Sequence, residues 1–183
     1  MKMATINLED TYPPIQVAED LSYMTFYSPL KKGGSQLLKI RISHLKDNLL
    51  PNVYNLSFGP PDIYGEIDDE IKMHHEDVAK VFSTIILFSL TFMKTYKFAT
   101  LGLDGSNDTR AYYYHRMFKT NRLYLGNFFV SLGVDWYVRL LRTGFVELDS
   151  EGIPFFKPKP EPFDYHRRDK DLYRYYMFHL VPE

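Results

Sequence analysis

The stretch that most constrains the fold is Asp77 to Lys97, DVAKVFSTIILFSLTFMKTYK. Its apolar residues fall at Val78, Val81, Phe82, Ile85, Ile86, Phe88, Phe92, Met93 and Tyr96, a spacing dominated by three and four. That is helical periodicity. Leu87 and Leu90 widen the stripe, and only Lys80, Thr84, Thr91 and Lys94 keep a polar edge. A helix this apolar must be covered over most of its surface, so it is expected as the central core helix. The run VFSTIILFSLTFM has 13 residues, short of the roughly 20 a bilayer span needs. No membrane association is expected. Asp77 is the expected N-cap, with Glu76 beside it, and both suit the positive end of a helix dipole.

Strand patterns precede the helix. LSYMTFYS and GSQLLKIRISHL flank the turn signal Gly33-Gly34 and predict a hairpin. In the second run Leu38, Ile40 and Ile42 face one way and Lys39, Arg41 and Ser43 the other. NVYNLSF reads as a strand stopped by Gly59-Pro60-Pro61, and DIYGEIDDEIKM as a further short strand ending near Met73. After the helix, Phe98 to Gly105 reads as a short strand, and SNDTRAYYYHRMFKTN as a second helix capped by Ser106 or Asp108. RLYLGNFFVSLG continues as helix or turns on Gly126, and WYVRLLR, FVEL and IPFF read as strands. Pro154, Pro158, Pro160 and Pro162 are expected to break regular structure nearby. The C-terminal DYHRRDKDLYRYYMFHL fits a short helix or a strand docking onto the sheet. The fold class is therefore α+β: a twisted, mostly antiparallel sheet packed around one long buried helix, with a second helix. Residues 1–20, with Pro13-Pro14 and no periodicity, are expected as an extended arm, and 21–183 as a single domain.

Composition narrows the chemistry. With 183 residues, 45% hydrophobic, 15 Tyr and 14 Phe, the chain can build an aromatic-rich core. The absence of cysteine excludes disulfides, thiolate metal sites and cysteine nucleophiles. The first residues lack the apolar segment of a signal peptide, and a cytoplasmic location is expected.

Four constellations carry candidate chemistry. The first is the turn Asp104-Gly105-Ser106 with Arg110. A helix opening on a glycine turn presents free N–H groups to an anion, and Arg110 lies one turn after Ser106 on the same face. Gly105, Ser106, Arg110 and Tyr114 are the candidate anion-binding residues. The alternative is a self-capped helix with Arg110 paired to Asp104 or Asp108. Asp104, Ser106, Arg110 and His115 are the weaker candidate catalytic set, for phosphoryl transfer or hydrolysis on RNA or nucleotides. The second constellation is a basic run, Arg110 to Arg142, with six cations against Asp135, 6 − 1 = +5, and interleaved aromatics. Arg116, Lys119, Arg122, Arg139 and Arg142 are the candidate nucleic-acid contacts. Asp62 to Asp77 balances at 1 − 7 = −6, so the two runs could instead pair with each other. Third, His74-His75-Glu76 lacks metal-ligand spacing, since adjacent side chains diverge; no metal and no cofactor are expected. Fourth, the C-terminal segment, rich in Tyr and Arg, is a candidate protein or homodimer interface.

A family resemblance joins several of these features. Tyr23-x-x-Phe26, Tyr54-Asn55-Leu56-x-Phe58-Gly59, Gly65-Glu66-Ile67-Asp68-Asp69, Asp77-x-x-Lys80-Val81 and Gly105-Ser106-x-x-x-Arg110-x-x-x-Tyr114 occur in order. Together, from Tyr23 to Arg142, they resemble a family of small Bacteroidota proteins known as a domain of unknown function. His74-His75-Glu76, the Tyr-rich second helix and the Pro-rich tail from Lys157 depart from its pattern. The resemblance implies an α+β fold, carries no established activity, and suggests membership of toxin–antitoxin or defence gene pairs. The expected function is thus a nucleic-acid- or phosphate-ligand-binding component of such a pair, with an enzyme or a protein-interaction module as alternatives.

Overall fold

The computed structural model describes residues 4–44, 49–68, 74–105 and 107–182. In chain order the elements are β1 (Gln16–Val17), β2 (Tyr23–Pro29), β3 (Ser35–His44), β4 (Val53–Gly59), α1 (Val78–Thr95), β5 (Thr100–Asp104), α2 (Asp108–Thr120), α3 (Arg122–Leu125), β6 (Phe129–Val138), β7 (Phe156–Pro162) and β8 (Tyr175–Leu180). The strands form one sheet in the order β1-β2-β3-β4-β5-β8-β6-β7. Among the described residues only β4 and β5 pair in parallel, and the other pairings are antiparallel. A parallel pair needs a crossover, and α1 supplies it.

The long apolar run is α1, capped by Asp77, whose side chain accepts from the Lys80 N–H at 2.9 Å. By length and composition α1 could cross a membrane, with mean hydropathy 1.4 over its 18 residues. Ten of those residues are instead buried. They meet Phe26, Ile40, Leu56, Leu101 and Phe178 from one face of the sheet. Each fully buried side chain of this size contributes about 1.5–3 kcal/mol. The opposite face carries a smaller cluster of Leu50, Val53, Val134, Tyr175 and Met177. Alternation along β3 explains the division, with Leu38, Ile40 and Ile42 buried and Lys39 and Arg41 on the other side. The hairpin at Gly33-Gly34 forms as expected, and both glycines have positive φ.

Three segments differ from the sequence reading. Residues 62–68 form no strand. Asp62 accepts from the Tyr64 and Glu66 N–H groups, Gly65 takes φ 80°, and the chain turns back on an Ile67–Pro61 bridge. The rest of that predicted strand lies outside the described residues. The N-terminal segment docks on the helical layer: Ile6 is buried, and the N–H groups of Ile6, Asn7 and Tyr12 donate to Asn121, Ser83 and Thr84. Strand β6 starts at Phe129, inside the stretch read as helix or turn.

The prolines form a strand rather than interrupt one. Pro158, Pro160 and Pro162 alternate with Lys157, Lys159 and Glu161 along β7. In an antiparallel pair, alternate residues point both backbone polar groups to the same side. The prolines occupy the outward positions of this edge strand, where a missing N–H costs no ladder bond.

Close packing around β8 depends on two glycines. A Cβ added to Gly133 would fall within the Tyr173 ring, and one on Gly102 within the Tyr175 side chain. Gly133→Ala should therefore destabilise the fold by about 1–3 kcal/mol, the usual cost of overpacking, seen as a lower urea midpoint. An unchanged midpoint would show that the ring relocates freely.

Candidate functional site

The turn after β5 is packed from inside. Gly105 is buried, and a Cβ there would sit 3.0 Å from the Tyr176 ring and 3.3 Å from the Ala111 Cα. The glycine thus lets the strand end, α2 and β8 approach one another. The cap of α2 is Asn107, the residue between the two expected caps; its Oδ1 accepts from the Arg110 N–H at 2.8 Å. Asp108 stands in the first turn and accepts from Arg174 at 2.6 Å. The helix N-terminus is thus occupied by its own oxygens and carries a carboxylate where an anion would dock. Ser106 lies outside the described residues. Tyr114 is buried, edge-on to Phe58 and Tyr176.

Asp104 is exposed at the end of β5, and Arg110 is half-buried on the first turn of α2. His115 is 1% exposed and stacked on Phe163 at 5.2 Å. Five residues separate Arg110 from His115, about 140° around a helix axis and about 7.5 Å along it. Arg110 and His115 therefore do not face one open cleft. Neither ring nitrogen of His115 has a hydrogen-bond partner among the described residues. Burial, and then the charge of Lys119, holds its imidazole below the ordinary value of 6.5; Asp169 and Asp164 oppose this, and Arg116 reinforces it.

The outer side of α2 and α3 presents a different surface. Arg116, Lys119 and Arg122 follow one another at intervals of three residues, one helical turn each, and the row continues across the α2–α3 joint. Arg116 lies over the Tyr112 ring at 5.7 Å, and Arg122 over the Tyr165 ring at 4.6 Å. Lys119 and Arg122 make no ion pair among the described residues. Both line a shallow cleft of about 540 Å³ with Thr5, Asn121 and Tyr124. Asn121 holds the joint, accepting from the Ile6 N–H at 2.7 Å and donating to the Ala4 and Met117 carbonyls, each at 2.9 Å. Leu123 beside it is 87% exposed. Tyr165 and the N-terminal wall of the cleft were absent from the sequence candidates. No spacing signal joins residues more than 40 positions apart.

Arg139 and Arg142 lie elsewhere, beyond the end of β6. Arg139 pairs with Glu147 at 3.0 Å. Glu66 pairs with Arg41, and Lys39 donates to the Gly65 carbonyl at 2.6 Å. His75 approaches Ser28 at 3.0 Å, and burial lowers its pKa. No metal-binding group of three His, Asp or Glu occurs among the described residues. The C-terminal aromatics Tyr173, Tyr175, Tyr176 and Phe178 are buried, so that segment serves the interior of the sheet.

Fold and surface together define a small α+β domain with one helical layer and a basic ridge on that layer. The chain belongs to the family of unknown function DUF6934, whose model matches residues 8–136. No curated protein and no solved structure matches it.

The sealed histidine makes stability depend on pH. Burial lowers the pKa of His115 in the folded protein, whereas the unfolded side chain takes up a proton near 6.5. Between its folded and unfolded pKa the unfolded chain binds more protons, so stability is full above about 6.5 and falls as the pH drops. His115→Phe should narrow the difference in urea midpoint between about pH 5 and pH 7, leaving the share due to buried His75. An unaltered difference would show that His115 contributes nothing.

Proposed function

We propose that this protein binds single-stranded nucleic acid, or another phosphate-rich ligand, along the α2–α3 ridge. The observation that carries the reading is the row Arg116, Lys119, Arg122, with two of its guanidinium groups over tyrosine rings and its last two cations lining a cleft. Cations in a row meet successive phosphates, and rings beside them offer stacking faces that every base can use. The open shape favours an extended strand over a small molecule, which needs enclosure on several sides.

A catalytic role is less well supported, because His115 is sealed behind Phe163 and Asn107 already caps the start of α2. The reading extends to the setting the resemblance implies, a cytoplasmic toxin–antitoxin or defence gene pair in which the ridge meets the nucleic acid.

Fluorescence anisotropy with a labelled single-stranded oligonucleotide tests the proposal. With three phosphate contacts, log K should fall with log salt at a slope near −2, since each contact adds about −0.7 for single strands. The double variant Lys119→Ala, Arg122→Ala should flatten the slope to near −0.7 and weaken binding for every sequence alike. Absence of binding at low salt, or an unchanged slope in the variant, would overturn the reading.

A further inference from the structure

Beyond the last β6–β7 pair, Val138 with Phe156, the chain makes two successive hairpin leaves. In the first, Leu141 N–H donates to the Phe145 carbonyl at 2.8 Å, and Gly144 takes φ 84°. In the second, Asp149 N–H donates to the Ile153 carbonyl at 2.8 Å, and Gly152 takes φ 81°. Both are tight turns that need glycine at the left-handed position. The leaves are stitched through Glu147: its N–H donates to the Arg139 carbonyl at 2.8 Å, and its carbonyl accepts from the Phe155 N–H at 2.9 Å. Its carboxylate also binds Arg139 and Lys157, and the Lys157 hydrogen bond is the first cause of its lowered pKa.

The cross-strand pairs flanking that ion cluster are apolar: Val138 with Phe156, Leu140 with Val146, and Leu148 with Pro154. Leu140 is 71% exposed, Phe156 56% and Leu148 52%, and Phe145 at the first tip is 73% exposed. Arg139, Glu147 and Lys157 thus hold one set of alternating positions, and the apolar pairs hold the other. On that second set Leu140, Val146, Leu148 and Phe156 are all exposed. An uncovered apolar strip rimmed by charge marks an interaction surface.

The geometry points to a second copy of this chain as the occupant of this surface, packed across a two-fold axis. Charge selects it. The first tip carries Arg142 and the second Glu151, and neither makes an ion pair among the described residues. From residue 136 to 156 the charges are Arg139 and Arg142 against Glu147, Asp149 and Glu151, 2 − 3 = −1. A surface with one tip of each sign is complementary to itself: the two-fold sets each Arg142 against the partner's Glu151, twice. The proline-blocked outer edge of β7 excludes strand addition, so the copies meet by side chains. The surface lies beyond residue 136, outside the part the family model covers, and it differs from the buried C-terminal aromatic segment.

Sedimentation equilibrium on the full chain tests the proposal. The expected mass is twice 21.6 kDa. Leu140→Asp with Leu148→Asp should return the monomer mass while far-UV circular dichroism stays unchanged, because both sites are exposed. Arg142→Glu alone should weaken the dimer, and Arg142→Glu with Glu151→Arg should restore it. The ridge variant Lys119→Ala, Arg122→Ala should leave the dimer intact, so the two readings fail separately. A monomer at every concentration, whether inert, bound to a different protein or floating with lipid vesicles, would overturn the proposal. So would a dimer insensitive to the apolar and charge changes.

Discussion

Everything in this fold depends on the last strand reaching the middle of the sheet. Strand β8 lies between β5 and β6, pairing with both, although about 70 residues separate it from β5. It is flanked on both sides and covered on both faces, which explains why Tyr175–Leu180 reads as continuous apolar sequence rather than an alternating pattern. Tyr176 and Phe178 feed the core beneath α1, and Tyr175 and Met177 form the second cluster. The part matched by the family, residues 8–136, includes most of β6. Both strands that pair with β6 come after it, so the shared region alone does not complete this sheet.

Aromatic rings and glycines are matched around that strand. Tyr173 lies over Gly133, and its hydroxyl donates to Glu161 at 2.9 Å while accepting from the Asp164 N–H at 3.1 Å. Burial pushes its phenol up to about 12, so it stays a donor. Arg167 covers the same ring at 3.6 Å and binds Asp135 and Glu161. One guanidinium thus ties β6, β7 and the approach to β8 together. The carboxylates keep it charged despite partial burial, and planar bidentate geometry suits Arg where Lys would offer a point charge.

The sequence showed the elements whose signals are local. The period of α1, its Asp77 cap and the Gly33-Gly34 hairpin each lie within a few residues. Asn107 was hidden among three adjacent capping residues, Ser106, Asn107 and Asp108, which only backbone geometry separates. Strand β7 was hidden because proline argues against a strand unless the edge is known, and edges are set by partners far along the chain. The site was harder still. The space left by Gly105 looks open in the sequence, yet Tyr176 fills it from about 70 residues away. Arg139 and Arg142 follow the ridge cations closely in sequence, but they belong to the hairpin leaves.

A near-neutral chain can still present a local positive ridge, and the topology explains how. Pairing of the acidic run with the basic run would have erased both fields. Glu66 instead pairs with Arg41, which alternates with buried Ile40 and Ile42 and so faces away from the helical layer. The Glu66 carboxylate and the ridge therefore lie on opposite faces of the sheet. A layer spacing of about 10 Å already exceeds the Debye length of about 8 Å at physiological ionic strength. Asp10 is held by Lys80, and Asp108 by Arg174. An overall charge of −1 is a sum over the whole molecule and places no bar on a local basic surface. What decides is which strand each carboxylate pairs with.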